Sequence, residues 1–391
     1  MNYRLLSKRL SLNALLFCVG LSQGVYAEPV KVGPLLKKVH AVQAKGAGHP
    51  EAISAIQKLS KADGEQIPSI LEGIDAADLL QTNWLRAAVE SVAQRELDAG
   101  RALPVHELET FLTDTKHAPR ARRLAYELIN QVDKTAERRL IPSLLNDPSL
   151  ELRRDAVALV VANADSQVNS NKLNAVLSYR RGLSAARDLD QIESIAKKLR
   201  DLGEAVDLPS HFGFVMRWKL LAPFDNTQKE GFDVAYRPET DLSVTESYKG
   251  KEGKVDWVEH TTKDEYGTVD LNTVLAKHKG AIAYAYSEFV SDENQKVDLR
   301  LGCINANKVW LNGDLLTSNQ VYHANTQIDQ YVGKGLLRKG INTILLKICQ
   351  NEQEESWAQR WQFQLRVCDQ YGTAVLSKDR PKFSTESSKK Q

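Results

Sequence analysis

The residues able to do chemistry in this chain are scattered. Eight histidines occur, and none forms a His-x-x-x-His or Glu-assisted zinc pattern. His211, His260, His278 and His323 could converge only through the fold, and without ligand spacing surface loops are their expected home. There is no Gly-x-Ser-x-Gly elbow to carry a nucleophilic serine. Gly46-x-Gly48 lacks the Gly, Lys and Ser/Thr that complete a phosphate-cradling loop. Paired carboxylates are the remaining route to catalysis, because glycosidases need two Asp/Glu roughly 5–10 Å apart. Asp256, Glu259, Asp264 and Glu265 form the best such cluster. With 50 acidic residues in the chain, clustering by chance is expected, and a solvated loop face is the plainer reading. Asp292-Glu293-Asn294 reads as a turn, with a structural calcium the one cofactor it would suit. The expected class is therefore a non-enzyme.

Aromatic residues give a positive hint of a ligand. Apolar sugar faces stack on exposed Trp and Tyr while polar neighbours read the hydroxyls. Trp361 is in phase with Phe363 and Leu365 and is expected in the core. Trp357 sits in the polar loop Glu354-Glu355-Ser356-Trp357-Ala358-Gln359 and has no periodic reason to be buried. Trp310 is out of phase with Val309 and Leu311, so it either covers the opposite face of its strand or meets the helical half. Tyr322, in Asn319-Gln-Val-Tyr-His323, is also loop-like. Trp357, Tyr322 and Trp310 are the ligand-binding candidates that follow from position alone.

Two different periods place these residues. From about 34 to 205 apolar residues recur at three and four, as in Leu189, Ile192, Ala196 and Leu199, which predicts helices. Asp147-Pro148-Ser149 before Leu152 is a helix entry. Arg86-Ala87-Ala88-Val89, Arg123-Leu124-Ala125-Tyr126 and Arg154-Asp155-Ala156-Val157 share Arg-x-Ala and a larger apolar residue. Their spacings, about 31 to 37 residues, are those of α-solenoids. The small Ala permits close helix approach, and the Arg can reach carboxylates such as Asp114 or Asp147. An irregular helical array is the alternative. Near Leu208-Pro209-Ser210 the character switches. Short runs follow at Arg217–Ala222, Lys254–His260, Ala281–Val290, Lys296–Cys303, Lys308–Asn312, Ile341–Cys349 and Trp361–Asp369, punctuated by Lys249-Gly250, Asn312-Gly313-Asp314 and Lys339-Gly340. They predict an antiparallel sandwich over 211–372. In the last strand Gln362, Gln364 and Arg366 alternate with apolar residues and should face water. The polar stretch 377–391 reads as a disordered tail. The fold class is multidomain α plus β.

Two resemblances refine this. Leu144-Leu145-Asn146-Asp147-Pro148-Ser149-Leu150-Glu151-Leu152-Arg153-Arg154-Asp155-Ala156-Val157 resembles a HEAT repeat, within a stretch of about 79–164. Trp218-Lys-Leu-Leu-Ala-Pro223-Phe224, Leu299-Arg300-Leu301-Gly302 followed by Lys308-Val309-Trp310-Leu311-Asn312-Gly313, Gly340-Ile341-Asn342-Thr343-Ile344-Leu345-Leu346-Lys347 and Trp361-x-Phe363-x-Leu365-Arg366 together resemble the galactose-binding-like jelly roll of exported bacterial proteins. That resemblance implies a β-sandwich able to dock on a glycan or a polypeptide. Many such modules carry an Asp-Asp-Gly turn before the Val-Trp-Leu-Asn-Gly strand. Here the turn is Ile304-Asn305-Ala306, which removes two carboxylates that would serve calcium or sugar hydroxyls and leaves Asn305 as the polar candidate.

Composition bounds the partners. The 391 residues include 52 Lys+Arg against 50 Asp+Glu, with 42% apolar and 26% charged residues. That is the balance of a globular protein, long enough for two or three domains. Near-neutral charge excludes a dedicated nucleic-acid binder. Arg4, Lys8 and Arg9, the apolar run Leu10 to Val19 and Val25-Tyr26-Ala27 read as a signal peptide over 1–27, too short to span a membrane. The expected address is periplasmic or extracellular. Three cysteines then remain, Cys303, Cys349 and Cys368, each read as a small buried hydrophobe. A hairpin across Asn351–Arg360 would set Cys349 opposite Gln362 and preclude a bridge to Cys368. The sequence reading is an exported, non-catalytic binding or scaffold protein: helical repeats for protein contacts, sandwich for glycan or protein docking. The alternatives are a carbohydrate-active hydrolase or its accessory subunit, and a purely structural envelope component.

Overall fold

The computed structural model describes residues 30–381, so the signal-peptide reading of 1–27 lies outside the described residues, as do 382–391 of the tail. The chain is multidomain α plus β, helical first and antiparallel β afterwards. It divides into two compact units, one up to Ile129 and one from Asn130.

The first unit contains helices α1 (Val32–His40), α2 (His49–Leu59), α3 (Ile67–Glu72), α4 (Leu79–Asp98), α5 (Val105–Thr113) and most of α6 (Pro119–Val132). Asp78 starts α4 by accepting from the Gln81 amide at 2.8 Å, the bond that satisfies one of the unpaired amides of a first turn. Arg86 of α4 reaches Glu127 of α6 at 2.6 Å. Its partner is thus the helix bearing the second Arg-x-Ala motif. Arg122 is fully buried and donates from Nε to the Leu112 carbonyl at 2.7 Å.

The second unit joins α7 (Ala136–Leu140), α8 (Leu150–Gln167), α9 (Lys172–Ala185), α10 (Leu189–Asp201) and α11 (Leu208–Phe212) to the β region. Ser149 caps α8 through the Leu152 amide, where the sequence places the helix entry. Arg153 repeats what Arg122 does, donating to the Asp147 carbonyl at 2.7 Å. Arg154 grips Asp190 of α10 at 2.6 Å. Its partner, like that of Arg86, lies two helices further on in the chain and is neither Asp114 nor Asp147.

Twelve strands follow: β1 (Arg217–Asp225), β2 (Tyr248–Gly250), β3 (Gly253–Val255), β4 (Val258–Thr261), β5 (Val269–Asp270), β6 (Ala281–Ser291), β7 (Gln295–Cys303), β8 (Ala306–Leu311), β9 (Asp314–Asn319), β10 (Tyr331–Leu337), β11 (Gly340–Gln350) and β12 (Gln362–Cys368). Between β1 and β2 lies the short helix α12 (Arg237–Thr240), and between β5 and β6 α13 (Leu271–Val274). One sheet runs β4-β1-β6-β11-β8-β9 and the other β10-β7-β12-β5, with β2 and β3 as a separate ribbon. Trp218, Leu299, Leu301, Trp361, Phe363 and Leu365 are among the residues that fill the core between the sheets. Trp361 is fully buried and its Nε1 donates to the Ile348 carbonyl at 3.3 Å. The six-stranded sheet carries a second apolar layer on its outer face, where Phe224, Phe232, Tyr248 and Tyr284 pack beneath the β1–β4 excursion. Because β6 is covered on both faces, ten of its eleven residues escape full exposure.

Three expectations are corrected. β11 and β12 belong to different sheets, so 351–360 is a crossover and not a hairpin; Cys349 lies opposite Ala306 and Ile282. All three cysteines are buried and free. The face of β12 read as wet is covered: Gln364 is 7% and Arg366 5% exposed. The loop Asp369–Thr373 and the helices account for this. Arg366 donates to the Phe212 and Gly372 carbonyls, Arg300 to the Gln370 carbonyl, and Arg187, beyond α9, to Thr373 Oγ1 at 3.0 Å. Arg200 of α10 also pairs with Glu265 at 2.6 Å. Arg366, Arg187 and Arg200 thereby fasten helices and sandwich into one unit. Finally, the first residues of the tail are ordered: the Val290 amide donates to Ser377 Oγ at 2.8 Å.

β9 and β10 escape a reading by pattern. β9 is a polar strand with no buried residue, so it lacks alternation. β10 contains Gly333 and Gly335, which read as loop. A Cβ at Gly333 would lie 2.8 Å from Leu316 Cβ, and one at Gly335 2.6 Å from Leu311 Cδ2. Glycine is needed there for close approach of the two sheet edges.

Candidate functional site

Trp357, Tyr322 and Asn305 gather at one end of the sandwich, where the segments that follow β1, β7, β9 and β11 meet. Gln350, the last residue of β11, is fully buried and fixes three of them. Its carbonyl accepts from Asn226 Nδ2 at 3.0 Å, and its Oε1 accepts from Asn305 Nδ2 at 2.8 Å. Its own Nε2 donates to the Ala358 carbonyl at 3.3 Å. Neutral amides thus tie the crossover 351–360 to the sheet, which suits buried polar groups that must be hydrogen-bonded without the cost of buried charge.

On this frame three rings form a chain. Asn226 Nδ2 donates to Tyr322 Oη at 3.1 Å, and burial pushes the Tyr322 phenol up to about 12. Tyr322 and His323 have centroids 6.5 Å apart. His323 meets Trp357 edge-on at 5.0 Å and 86°, the favoured arrangement of ring edge to ring face. Nε2 of His323 bonds Asn351 Oδ1 at 3.0 Å, which holds the imidazole in place. Trp357 stands in the turn Ser356–Ala358 and is 56% exposed. Lys229 lies over the Tyr322 ring at 5.3 Å, within reach of a cation–π contact.

The other two candidates do not present themselves to a ligand. Asn305 is fully buried, and its amide serves Gln350 and the Arg360 carbonyl. It is a bracket between two loops. Trp310 lies on the outer face of its strand, the first of the two positions its phase allowed, and packs against the outer apolar layer together with Tyr322. His323, Asn226, Gln350 and Asn351 have no sequence signal of their own; only the loop end reveals them.

The carboxylates of the sequence cluster do not pair. Asp256 accepts from Ser247, Glu259 lies 3.7 Å from Lys219, Asp264 closes its own turn on the Tyr266 and Thr268 amides, and Glu265 is held by Arg200. The histidines stay apart as well. His211 hydrogen-bonds toward Ala186, and burial, with Arg187 and Arg366 nearby, pushes it down to about 4. His278 stands edge-on to Trp361 at 6.3 Å. In the Asp292-Glu293-Asn294 turn, Asp292 pairs with Lys378 and Asn294 Oδ1 accepts from the Lys339 amide at 2.8 Å. Among the described residues no group of three or more His, Cys, Asp or Glu is placed to hold a metal ion, and no helix is long and apolar enough to cross a membrane.

No family model matches the chain, and no curated protein matches it. Among solved structures it is similar to an anti-sigma factor domain-containing protein from Clostridium clariflavum, at 11% identity over 44% of this chain and 49% of that chain, with a TM-score of 0.24. It is similar also to beta-glucosidase from Kluyveromyces marxianus in complex with glucose, at 10% identity over 71% and 36% of the two chains, TM-score 0.26. A beta-glucuronidase from an uncultured Clostridium sp. gives 14% identity over 40% and 29%, TM-score 0.21. The chain spans about half the length of the first and about a third of the other two. TM-scores this low transfer neither fold detail nor function.

Proposed function

We propose that this is an exported, non-catalytic binding protein whose sandwich docks on a glycan through the loop end bearing Trp357. The β region is read as a galactose-binding-like module and the helices as HEAT-like repeats that bind or brace protein partners. The observation that carries the reading is the exposure of Trp357 at 56%, with His323 fixed edge-on behind it. A large ring held rigid at the surface by its neighbours offers stacking area at little entropic cost. For the helices, supporting features are the buried Arg122 and Arg153, which donate to the carbonyls of Leu112, at the end of α5, and of Asp147, before α8. Leu173 and Leu177, one turn apart on α9, are 69% and 57% exposed and suit a protein contact.

The test is a polysaccharide panel with the purified protein, reading binding and product release from the same wells. Binding without cleavage is expected, and Trp357→Ala should weaken it by about tenfold or more, the scale of a lost stacking ring. The same substitution should change unfolding free energy by less than about 1 kcal/mol, because the side chain is largely exposed. Unchanged binding in Trp357→Ala would remove this site from consideration. Cleavage of any polymer would overturn the non-catalytic reading.

A further inference from the structure

A second site lies in the same unit, in a cleft of about 700 Å³ between α10 and the outer face of the four-stranded sheet. That size falls within the roughly 300–1,000 Å³ of small-molecule sites. Arg187, Phe212, Tyr266, Thr326, Gln327 and Gln364 line it. We propose that this cleft binds an acidic saccharide, with Arg187 facing the carboxylate of a uronate-type sugar.

The charge balance of the cleft singles out Arg187. Of its acidic lining, Asp188 lies 3.4 Å from Arg154 and Glu193 accepts from Tyr266 Oη at 2.9 Å. Asp329 is shared by Arg366 and Arg300. Among the described residues no carboxylate lies within ion-pair distance of Arg187; the negative charge of Asp369 acts on it from farther off. Its Nη1 donates to the Ser184 and Ala186 carbonyls at 2.9 and 2.8 Å, and Nη2 donates to Thr373 Oγ1. Its Nε is buried without a partner. A guanidinium whose Nε is buried and unpartnered in this way lacks the anion that its planar donors fit best. His211 reports the same positive field, since Arg187 and Arg366 add to burial in holding it neutral.

Neutral groups supply the remaining chemistry. Thr326 Oγ1 is buried and unpartnered. The side-chain amides of Gln327 and Gln364 make no hydrogen bond among the described residues, and Gly302 lets both residues pack directly against β7. A Cβ there would lie 2.7 Å from the Gln327 carbonyl and 2.9 Å from Gln364 Nε2. Hydroxyl and amide groups that both donate and accept match the vicinal hydroxyls of a sugar. Phe212 and Tyr266, with centroids 6.0 Å apart, provide the apolar wall. A single unpaired cation fits one carboxylate, whereas a phosphate dianion would call for more donors.

The experiment is calorimetric titration of the purified protein with galacturonate, glucuronate and their short oligomers, against galactose, glucose and a poly-glutamate peptide. Uronate binding in preference to the neutral sugars and the peptide is expected. Thr326→Val, nearly isosteric, should weaken it about five- to tenfold, the scale of one hydrogen bond. Arg187→Gln should weaken it by about tenfold or more, the scale of a charge-assisted contact, and abolish the preference for the charged sugar. Trp357→Ala should leave uronate binding unchanged, so failure here and failure at the loop end are separate results. If Arg187→Gln does not fold, Thr326→Val decides alone. Absence of uronate binding, indifference to Thr326→Val, or preference for the acidic peptide would each overturn the proposal.

Discussion

Arg366 and Asp329 meet at two points, Nε to Oδ1 at 2.6 Å and Nη2 to Oδ2 at 2.5 Å. The same carboxylate takes Arg300 Nη1 at 2.9 Å. One loop aspartate on the β9–β10 connection is therefore shared by two arginines standing side by side on β7 and β12, and Asp298 supplies a second carboxylate to Arg300 at 2.9 Å. Arg366 also holds the carbonyls of Phe212 and Gly372, so the pair links the sheet to α11 and to the loop after β12.

Asp329→Asn should destabilise the second unit by about 3 kcal/mol, the scale of leaving buried charge uncompensated. Denaturant unfolding would measure it. Burial would raise the Asp329 carboxyl, but Arg366 and Arg300 outweigh it and hold it below the ordinary carboxylate range. A carboxyl lowered on folding contributes stability above its unfolded pKa, about 4. That contribution fades as pH falls through the folded value, so the wild type and Asp329→Asn should converge in strongly acidic solution.

Lys347 is fully buried on β11, and its Nζ donates to Glu239 Oε1 at 2.9 Å, Phe232 O at 3.0 Å and Val234 O at 2.7 Å. All three ammonium protons are thereby used. Lys347→Met strands Glu239 in a nearly dry site and should cost about 3–5 kcal/mol. Adding Glu239→Gln should restore much of this, and a double-mutant cycle would read the coupling. Independent, additive losses would show that the pair does not act as one.

His211 gives a separate pH dependence. Its folded value near 4 lies below the ordinary 6.5, so the unfolded chain binds more protons between them. Stability should be complete above about pH 6.5 and decline as pH falls toward 4, by roughly 3 kcal/mol. His211→Gln, which keeps a donor for Ala186, should flatten that window while leaving the acid limb of Asp329. A curve identical to the wild type would refute the assignment.

Burial pushes the Cys303 and Cys349 thiols up to about 12 and that of Cys368 up to about 11. Because the thiolate is the reactive form, all three should resist a thiol reagent in the native protein at neutral pH and react after denaturation. Rapid labelling of native protein at any of the three would contradict the packing described.

The division between helices and strands was legible in the chain, because periods of 3.6 and 2 are local properties. Seven strand runs appear within a few residues of their expected places, although the run Lys254–His260 is split between β3 and β4. The burial of Trp361 and exposure of Trp357 were legible for the same reason: phase places one, and a polar loop the other. Partner choice was not. Whether β11 returns to β12 or hands the chain to the other sheet depends on long-range packing, and so does the cover over Arg366. Asn305 looked available as the polar residue left in its turn; only the neighbouring Gln350 and Arg360 carbonyl show where its amide is spent. The strand bearing Gly333 and Gly335 was not anticipated, since only the folded chain shows Leu316 and Leu311 pressing against them. The sequence by itself determined the elements and the residue types exposed on them. The tertiary structure alone decided which carboxylate faces which arginine, because those encounters join residues tens to hundreds of positions apart, and no local pattern encodes such distances.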